Sequence, residues 1–390
     1  MNKKWVKVLL EDAVIFETGN RNSQDYVTGG RYPFFICSKE ILEHNEYDFD
    51  KEAVIMAGNN ANAIFHLHYF KGKFAARQRT YIISPKHDNF SCRYFYYLLQ
   101  YLQPYFRANS QGTTTKFLTI GTLKNTPINL PPEADQKAIA NILGTIDDKI
   151  AMNKKTNKTL EHIAKTLFKS WFIDFDPVRA KAEGRSTGLS DEISNLFPDS
   201  FEDTHIGEVP KGWELNDLPN IFDFLEGPGI RNWQYTNDEK GIRFINIRCI
   251  IDGDLNVETA NRLTEEEALG KYKHFSLQED DIVLSSSGTL GRYAIVRKEH
   301  LPLNLNTSVI RFRPIHNQST FSFLYGFIEN QLQNELQIRA SGSVQKNFGP
   351  MHLREIELLL PKIQLLQVHE KYVRDIFQKR KSNMSENNLL

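Results

Sequence analysis

The sequence predicts an α+β protein: two pseudo-repeated globular domains of mixed α/β character, separated by long antiparallel coiled-coil helices. Three observations predict it. The stretch Glu133 to Phe172 has one Gly and no Pro, and apolar or amide residues recur along it at alternating four- and three-residue steps. These are Ile139, Leu143, Ile146, Ile150, Asn153, Asn157, Leu160, Ala164, Leu167 and Trp171, the stripe of a coiled-coil helix. At 1.5 Å per residue such a helix is a rod of roughly 60 Å. The flanking segments are globular in composition, and landmarks of the first return in the second at a nearly constant interval.

That interval is the main structural inference, since a long-period repeat decides how every motif is weighed. Trp213 answers Trp5, and Gly241-Ile242-Arg243-Phe244 answers Gly30 to Phe34. Asp281 to Ser285 answers Ala53 to Ala57, and Ser308 to Pro314 follows Arg79 to Pro85 by 229 residues. Gly112 and Gly342, Leu123 and Leu353, and Pro131 and Pro361 are each 230 apart. The unit is therefore a globular domain followed by a helix, twice. The expected boundaries are domain one at 1–130, the central spacer helix at 131–175, a linker at 176–208, domain two at 209–360 and a short C-terminal helix at 361–390. The second helix loses apolar residues after Phe377, so it covers only about half of the first helix's seam.

Taken in order, residues 1–56 read as short strands broken by Gly19, Gly29 and Gly30, ending in the apolar run Ala53 to Ala57. Strands follow at Ala63–Phe70 and Arg79–Ile83, with Lys71-Gly72-Lys73 as the turn between them. Asn89 to Phe106 is an aromatic-rich helix whose stripe is ordinary core packing. Asp176 to Pro210 loses its periodicity and reads as a linker pinned by Phe197, Phe201 and Ile206.

Composition bounds the class. A chain of 390 residues, 40% hydrophobic and 12% aromatic, buries more than one core. Cys37, Cys92 and Cys249 share no metal spacing and are too few for a disulfide framework, which fits a reducing cytoplasm. The run Val8-Leu9-Leu10 meets Glu11-Asp12 at once, so neither a secretory leader nor a membrane span is expected. Net charge is zero but uneven. Residues 1–130 carry 16 Lys and Arg against 11 Asp and Glu, and residues 205–360 carry 16 against 21. Bulk charge therefore argues against nucleic-acid binding, and only a local basic surface overcomes it.

Several motifs carry a resemblance. Leu130-Pro131-Pro132-Glu133-Ala134-Asp135-Gln136-Lys137 precedes the helix, and Leu167-Phe168-Lys169-Ser170-Trp171-Phe172-Ile173-Asp174-Phe175-Asp176-Pro177-Val178-Arg179-Ala180-Lys181-Ala182-Glu183-Gly184 closes it. Gly207-Glu208-Val209-Pro210-Lys211-Gly212-Trp213-Glu214 opens the second half. Tyr32-Pro33-Phe34-Phe35, Ala57-Gly58-Asn59 and Lys73 to Tyr81 mark the first. With these the chain resembles the DNA-specificity (S) subunit of type I restriction–modification enzymes over essentially its whole length. The resemblance implies two target-recognition domains that read double-stranded DNA in two parts. It also implies two methyltransferase subunits and, in the full complex, restriction subunits as partners. S-adenosylmethionine, ATP and Mg belong to those partners, and this chain binds no cofactor. The short second helix departs from the family pattern.

The residues themselves argue for recognition more than catalysis. An adenine methyltransferase needs an Asp/Asn-Pro-Pro-aromatic loop, and neither Leu130-Pro131-Pro132 nor Asp176-Pro177-Val178 supplies one. Gly227-Pro228-Gly229 is a lone G-x-G, read more simply as a turn. Pro198-Asp199 with Asp238-Glu239-Lys240 has the form of a nuclease metal site, but linker and turn positions suit it poorly. His66 and His68 lack partners for a metal. Base edges are read by Arg, Lys, Asn and Gln, and phosphates by cations, hydroxyls and backbone N–H groups. Candidates of these types are Arg21, Arg31, Asn59, Asn62, Lys71, Lys73, Arg77, Arg79 and Lys116 in the first half. In the second they are Arg231, Arg243, Ser286, Arg292 and Lys346. For any one of them a solvated surface charge is the plainer reading. The rivals are a stand-alone nuclease or methyltransferase and a coiled-coil scaffold without DNA. Asn153 and Asn157 either fix the register of the helix pair or mark a gap open to solvent.

Overall fold

The computed structural model describes residues 5–340 and 347–390. Its contacts divide the chain into two compact bodies, Met1–Met152 and Asn153–Leu390, and the boundary falls inside the long helix.

In the first body, β1 (Val6–Leu9), α1 (Leu10–Ala13) and β2 (Val14–Thr18) lead to β3 (Tyr32–Phe35), β4 (Ile41–His44) and β5 (Phe49–Ala57). Next come β6 (Asn59–Asn60), β7 (Leu67–Ala76), β8 (Thr80–Pro85), α2 (Cys92–Tyr101) and α3 (Gln103–Ala108). The body closes with β9 (Lys116–Phe117), α4 (Ile120–Lys124), β10 (Pro127–Leu130) and the start of α5 (Glu133–Phe172). The main sheet has six strands in the order β2-β8-β5-β7-β3-β4. β1 pairs with β10, Val6 opposite Leu130, so the body begins and ends on one ladder. Alternate residues of β5 feed two cores. Val54 and Met56 join Ile83, Phe95 and Leu99, while Ala53 and Ile55 join Phe35, Phe74 and Ile82. A strand buried on both faces reads as an unbroken apolar run, which is why Ala53 to Ala57 stood out.

One strand differs from expectation. Lys71-Gly72-Lys73 is no turn but the middle of the ten-residue β7, opposite Glu52, Lys51 and Asp50 of β5. Gly72 takes φ +134° there, a backbone only Gly adopts freely, so the glycine marks an irregular strand rather than its end. The strand also starts at Leu67, not Ala63.

The second body continues α5 and adds α6 (Asp176–Ala182), α7 (Asp191–Ser194), β11 (Phe201–Thr204), β12 (Gly207–Pro210), β13 (Glu214–Asp217), α8 (Leu218–Ile221), β14 (Phe222–Glu226) and β15 (Ile242–Ile245). β16 (Ile250–Ile251), β17 (Asp254–Leu255), β18 (Asn261–Leu263), α9 (Glu265–Leu269), β19 (Ile282–Ser285), β20 (Tyr293–Ile295), β21 (Leu303–Leu305) and β22 (Val309–Pro314) follow. α10 (Phe321–Phe327) runs through a π turn into α11 (Gln333–Arg339), before α12 (Pro350–Leu353), β23 (Glu357–Leu360) and α13 (Ile363–Leu389). The registers of the first body return. Val14 faces Pro85 as Phe222 faces Pro314, Val54 faces Ile83 as Ile282 faces Phe312, and Val6 faces Leu130 as Glu214 faces Leu360. The interval is stepped rather than constant. It is 208 up to β14 (14 to 222) and 228 to 230 from β19 onward (54 to 282, 130 to 360), because additional chain carrying β16, β17 and α9 enters between β15 and β19.

The stretch expected to be a linker, 176–208, is folded. Val178 and Phe197 are fully buried in the second core, and the Phe197 ring lies edge-on to Trp171 at 5.1 Å. β11 and β12 form a hairpin, with Ile206 of its turn exposed. The aromatic end of α5 is core packing: Phe168, Trp171 and Phe172 meet Phe323 and His369.

The C-terminal part of α5 pairs antiparallel with α13. Asn153 Nδ2 donates to Glu386 Oε2 (2.8 Å) and Asn387 Oδ1 (2.9 Å). Asn157 donates to the Arg380 carbonyl (3.3 Å) and accepts from Asn383 (2.8 Å). Arg380 reaches Glu161 (3.2 Å) and the Tyr325 hydroxyl (3.0 Å). The amides therefore fix register, and Asn153, only 4% exposed, marks no solvent gap. α13 stays helical to Leu389 although its apolar pattern fades after Phe377, because Arg380, Lys381 and Asn383 take over as buried residues. Leu160 and Leu167 are half-buried on this seam and Trp171 is buried.

Earlier on α5 the seam shifts. The buried positions are Gln136, Ala140 and Gly144, not the predicted stripe; Ile139, Ile146 and Ile150 are half-buried, and Leu143 is 38% exposed. The cause is α2. Arg93 donates to the Gly144 carbonyl (3.0 Å) and pairs with Asp148 (2.6 Å), and a Cβ on Gly144 would sit 2.6 Å from its guanidinium carbon. Gln136 bridges Ser91 N and the Pro131 carbonyl. Among the described residues, no helix is long and apolar enough to cross a membrane.

Two outcomes follow from the second core. A Cβ on Gly326 would overlap the Phe168 ring, so Gly326→Ala is expected to cost about 1–3 kcal/mol by overpacking, read as a lower thermal midpoint. Burial holds His369 down to about pKa 3. Between pH 6.5 and 3 the unfolded chain then binds a proton that the native one does not, so stability falls as pH drops through that window. His369→Gln is expected to make the pH dependence in that window shallower, by up to about 1.4 kcal/mol per pH unit, in denaturant titrations across it.

Candidate nucleic-acid interface

In the first body, loops far apart in sequence gather at one end of the sheet. β6 pairs with β9, placing Asn59 opposite Phe117 and Asn60 opposite Lys116. Gly58 N donates to the Arg79 carbonyl (2.9 Å), and Leu118 N to the Gly58 carbonyl (2.9 Å). Gly19 N donates to Thr80 O (3.1 Å) and Arg21 N to Ala76 O (3.3 Å). A Cβ on Gly19 would overlap the carbonyls of Ala76 and Arg77, so this convergence requires glycine. The result is a cluster of segments 19–25, 58–62, 77–79 and 111–118.

The predicted residues divide accordingly. Arg77, Arg79, Asn59, Asn62 and Lys116 belong to the cluster. Arg77, Arg79 and Lys116 have no acidic partner among the described residues. Asn59 Oδ1 is buried without a hydrogen-bond partner. Arg21 belongs to it by backbone, but its guanidinium is committed. It forms a two-pronged pair with Asp48 (2.7 and 2.8 Å) and contacts His44 and Glu46. That pairing raises its pKa above the ordinary value, as an opposite charge in contact does, so it acts as a clamp for the loop. Lys71 and Lys73 are strand residues, Lys71 pairing with Glu52 (3.5 Å) and Lys73 lying over the Tyr47 ring (4.6 Å). Arg31 is exposed just before β3, at the end of that strand opposite Phe35, whose carbonyl accepts from Arg77 N.

The second body builds the same cluster with other side chains. Ser286 N donates to Ser308 O (2.9 Å), Phe348 N to Ser286 O (3.0 Å) and Gly227 N to Val309 O (3.1 Å), matching the contacts of Gly58, Leu118 and Gly19. Ser287 bridges Asn347 as Asn59 bridges Phe117. Arg231 is exposed beside Trp233, itself 81% exposed. Ser286 is buried and donates to Glu226 (2.9 Å), so it shapes the loop rather than facing outward. Arg292 donates to the Ile247 carbonyl (3.1 Å), and its Nε is buried without a partner. Arg243 is a strand residue of β15 paired with Glu258 (2.7 Å). Lys346 lies outside the described residues.

Sequence reasoning missed Asn306-Thr307-Ser308, the counterpart of Arg77-Gln78-Arg79. The 229-residue interval already used for Arg79 to Pro85 pointed to it. It also missed Arg248, exposed in the loop after β15. Among the described residues no group of three or more His, Cys, Asp or Glu is placed to hold a metal. The nuclease-like residues serve turns: Asp238 accepts from Lys240 N (3.0 Å) and Asp199 from Ser200 Oγ (3.2 Å).

The model for the type I restriction modification DNA specificity domain matches residues 2–162 and 210–383. The type I restriction enzyme HindI specificity subunit of Haemophilus influenzae is 28% identical over 326 residues, spanning 73% of this chain and 70% of that protein. The MjaIX specificity subunit of Methanocaldococcus jannaschii is 25% identical over 367 residues, spanning 93% and 79%. The crystal structure of a type I restriction–modification S subunit from M. genitalium shares the fold, with a TM-score of 0.60 at 17% identity over 98% of this chain and 92% of that one.

The clamp and the free cations respond differently to mutation. Asp48→Asn, which weakens the hold on Arg21, is expected to destabilise the first body by about 1.5–3 kcal/mol, the range for hydrogen bonds to charged groups. Lys116→Ala is expected to change stability by less than about 0.5 kcal/mol. Denaturant unfolding of both variants measures the contrast.

Proposed function

Because this chain belongs to the type I restriction–modification DNA specificity family, it is the non-catalytic recognition subunit of such a system, and we propose that each of its loop clusters reads one half of a split DNA target. Residues 1–130 and 209–360 are the two recognition domains. Residues 131–175 and 361–390 are spacer helices that set the unread gap. The observation that carries this reading is the duplicated cluster: two scaffolds with the same backbone contacts present different polar side chains. Alike frames with unlike chemistry suit two half-sites of unlike sequence.

Double-stranded DNA is then the ligand. Lys116 in the first domain and Arg231 and Arg248 in the second contribute phosphate contacts, and a local set of cations without an acidic partner among the described residues offsets the neutral bulk charge. Two methyltransferase subunits and the restriction subunits carry the chemistry, with S-adenosylmethionine, ATP and Mg bound on them. The compartment is the cytoplasm, where the DNA and those partners meet.

Inserting seven residues within 154–160, with the matching heptad added to α13, tests the ruler. The insertion lengthens each helix by about 10 Å, or about three base pairs at ~3.4 Å each. Site selection from random duplexes is expected to return both half-sequences unchanged with a longer gap. Altered half-sequences at an unchanged gap would contradict the proposal.

A further inference from the structure

One turn recurs in both bodies on the same scaffold with different side chains. Arg77-Gln78-Arg79 joins β7 to β8, and Asn306-Thr307-Ser308 joins β21 to β22. Arg77 N donates to Phe35 O (2.9 Å) as Asn306 N donates to Ile245 O (2.9 Å). The carbonyl of the third residue accepts from Gly58 N in one and Ser286 N in the other, at 2.9 Å in both. That third residue, Arg79 or Ser308, sits at φ +64° in each turn.

Left-handed backbone costs a side-chain-bearing residue about 1–2 kcal/mol relative to glycine. Glycine serves a turn that needs shape alone, yet both turns carry side chains here. Strain of this kind gathers where function holds it in place. The surroundings agree. Arg79 is exposed, and with Asn22, Ser23, Gln24, Arg77 and Gln78 it lines a polar recess of about 350 Å³. Every lining side chain can donate or accept a hydrogen bond. In the second body, Asn306 is used internally: its Nδ2 donates to the Tyr235 hydroxyl (2.9 Å) and its Oδ1 accepts from Thr307 N (2.8 Å). Thr307 is left as the exposed member of the turn.

We infer that this turn is the base-reading element of each recognition domain, with Arg79 the direct reader of the first half-site and Thr307 that of the second. The inference rests on the proposal that the chain reads a split DNA target. An arginine on a rigid, strained turn presents its fork to the paired acceptors of guanine O6 and N7 in the major groove. The threonine hydroxyl and methyl suit a hydrogen bond to a base edge or contact with a thymine methyl. Lys116 and Arg231, on the segments around the turn, contact phosphates and position it.

The test uses the full chain assembled with its methyltransferase partners and a pool of random duplex DNA, comparing wild type with Arg79→Gly and Thr307→Ala. Arg79→Gly removes the side chain and relieves the strain together, so its thermal midpoint is expected to equal or exceed the wild-type value. Its selected sites are expected to lose preference at one or two adjacent base pairs of one half-site, about 5- to 150-fold in discrimination. The other half-site and the gap stay unchanged. Thr307→Ala is expected to relax the opposite half-site alone. Affinity lost evenly across all sequences, with preferences intact, would overturn base reading by the turn and make it a phosphate contact. Unchanged selection would overturn it outright. A wild-type complex that returns no two-part motif would instead overturn the proposed function beneath it.

Discussion

The antiparallel pairing of α5 with α13 is the constraint on which the second body depends. Its interior is not simply apolar. Arg380, Lys381 and Asn383 are buried, and their partners are Glu161 and Tyr325, Asp280, and Asn157. Removed from those partners, each would be a buried polar group without compensation, which costs several kcal/mol for a charge. Sliding α13 by one turn would strand all of them together, and sliding α5 would strand Arg380 from Glu161 and Asn383 from Asn157. Such groups add little net stability but strongly select one register. The pairing extends into the domain, because Tyr325 on α10 receives Arg380 and lies beside Tyr293, which bonds Glu329. Burial among these carboxylates pushes the Tyr293 hydroxyl pKa far up, so it stays a neutral donor.

Scaffold and recognition chemistry are separate in both domains. The scaffold consists of backbone contacts that need glycine where chains cross: Gly19 against Ala76 and Arg77, and Gly227 against Asn306. The polar side chains that differ between the two clusters include those of residues whose backbone makes these contacts, such as Arg77 and Arg79. This separation of backbone from side chain explains how one frame carries two different sets of side chains. It also sets apart cations that are committed to the frame. Arg21 and Arg292 are bound to the protein itself, and their removal would disturb the loops before it disturbed any ligand.

The repeat, the long helix and the family were legible in the sequence because each leaves a local or periodic trace. Other features depend on distant partners and leave none. Arg21 looked like the start of a polar reading loop, and only folding brings Asp48 to it. Lys71-Gly72-Lys73 carried a turn signal, but pairing with β5 overrode it. The segment 176–208 lacked periodicity because its short elements pack by single anchors such as Val178 and Phe197 rather than by a stripe. The apolar pattern of α13 fades before the helix does, because buried Arg, Lys and Asn do not register as an apolar seam. The coiled-coil stripe misplaced the early face of α5, where Gly144 and Gln136 admit α2. In the site, the turn 306–308 was within reach of the repeat interval, whereas the division of cations into clamps and free groups required coordinates.

The central claim is that two separate domains of this chain each specify half of one target. Genome-wide mapping of methylated adenines in cells carrying this chain as their sole type I specificity subunit tests it most directly. The account predicts one motif with two defined halves of unlike sequence, separated by a gap of fixed length and no sequence preference, and its loss when the chain is deleted. A contiguous motif, or methylation that persists without the chain, would contradict it.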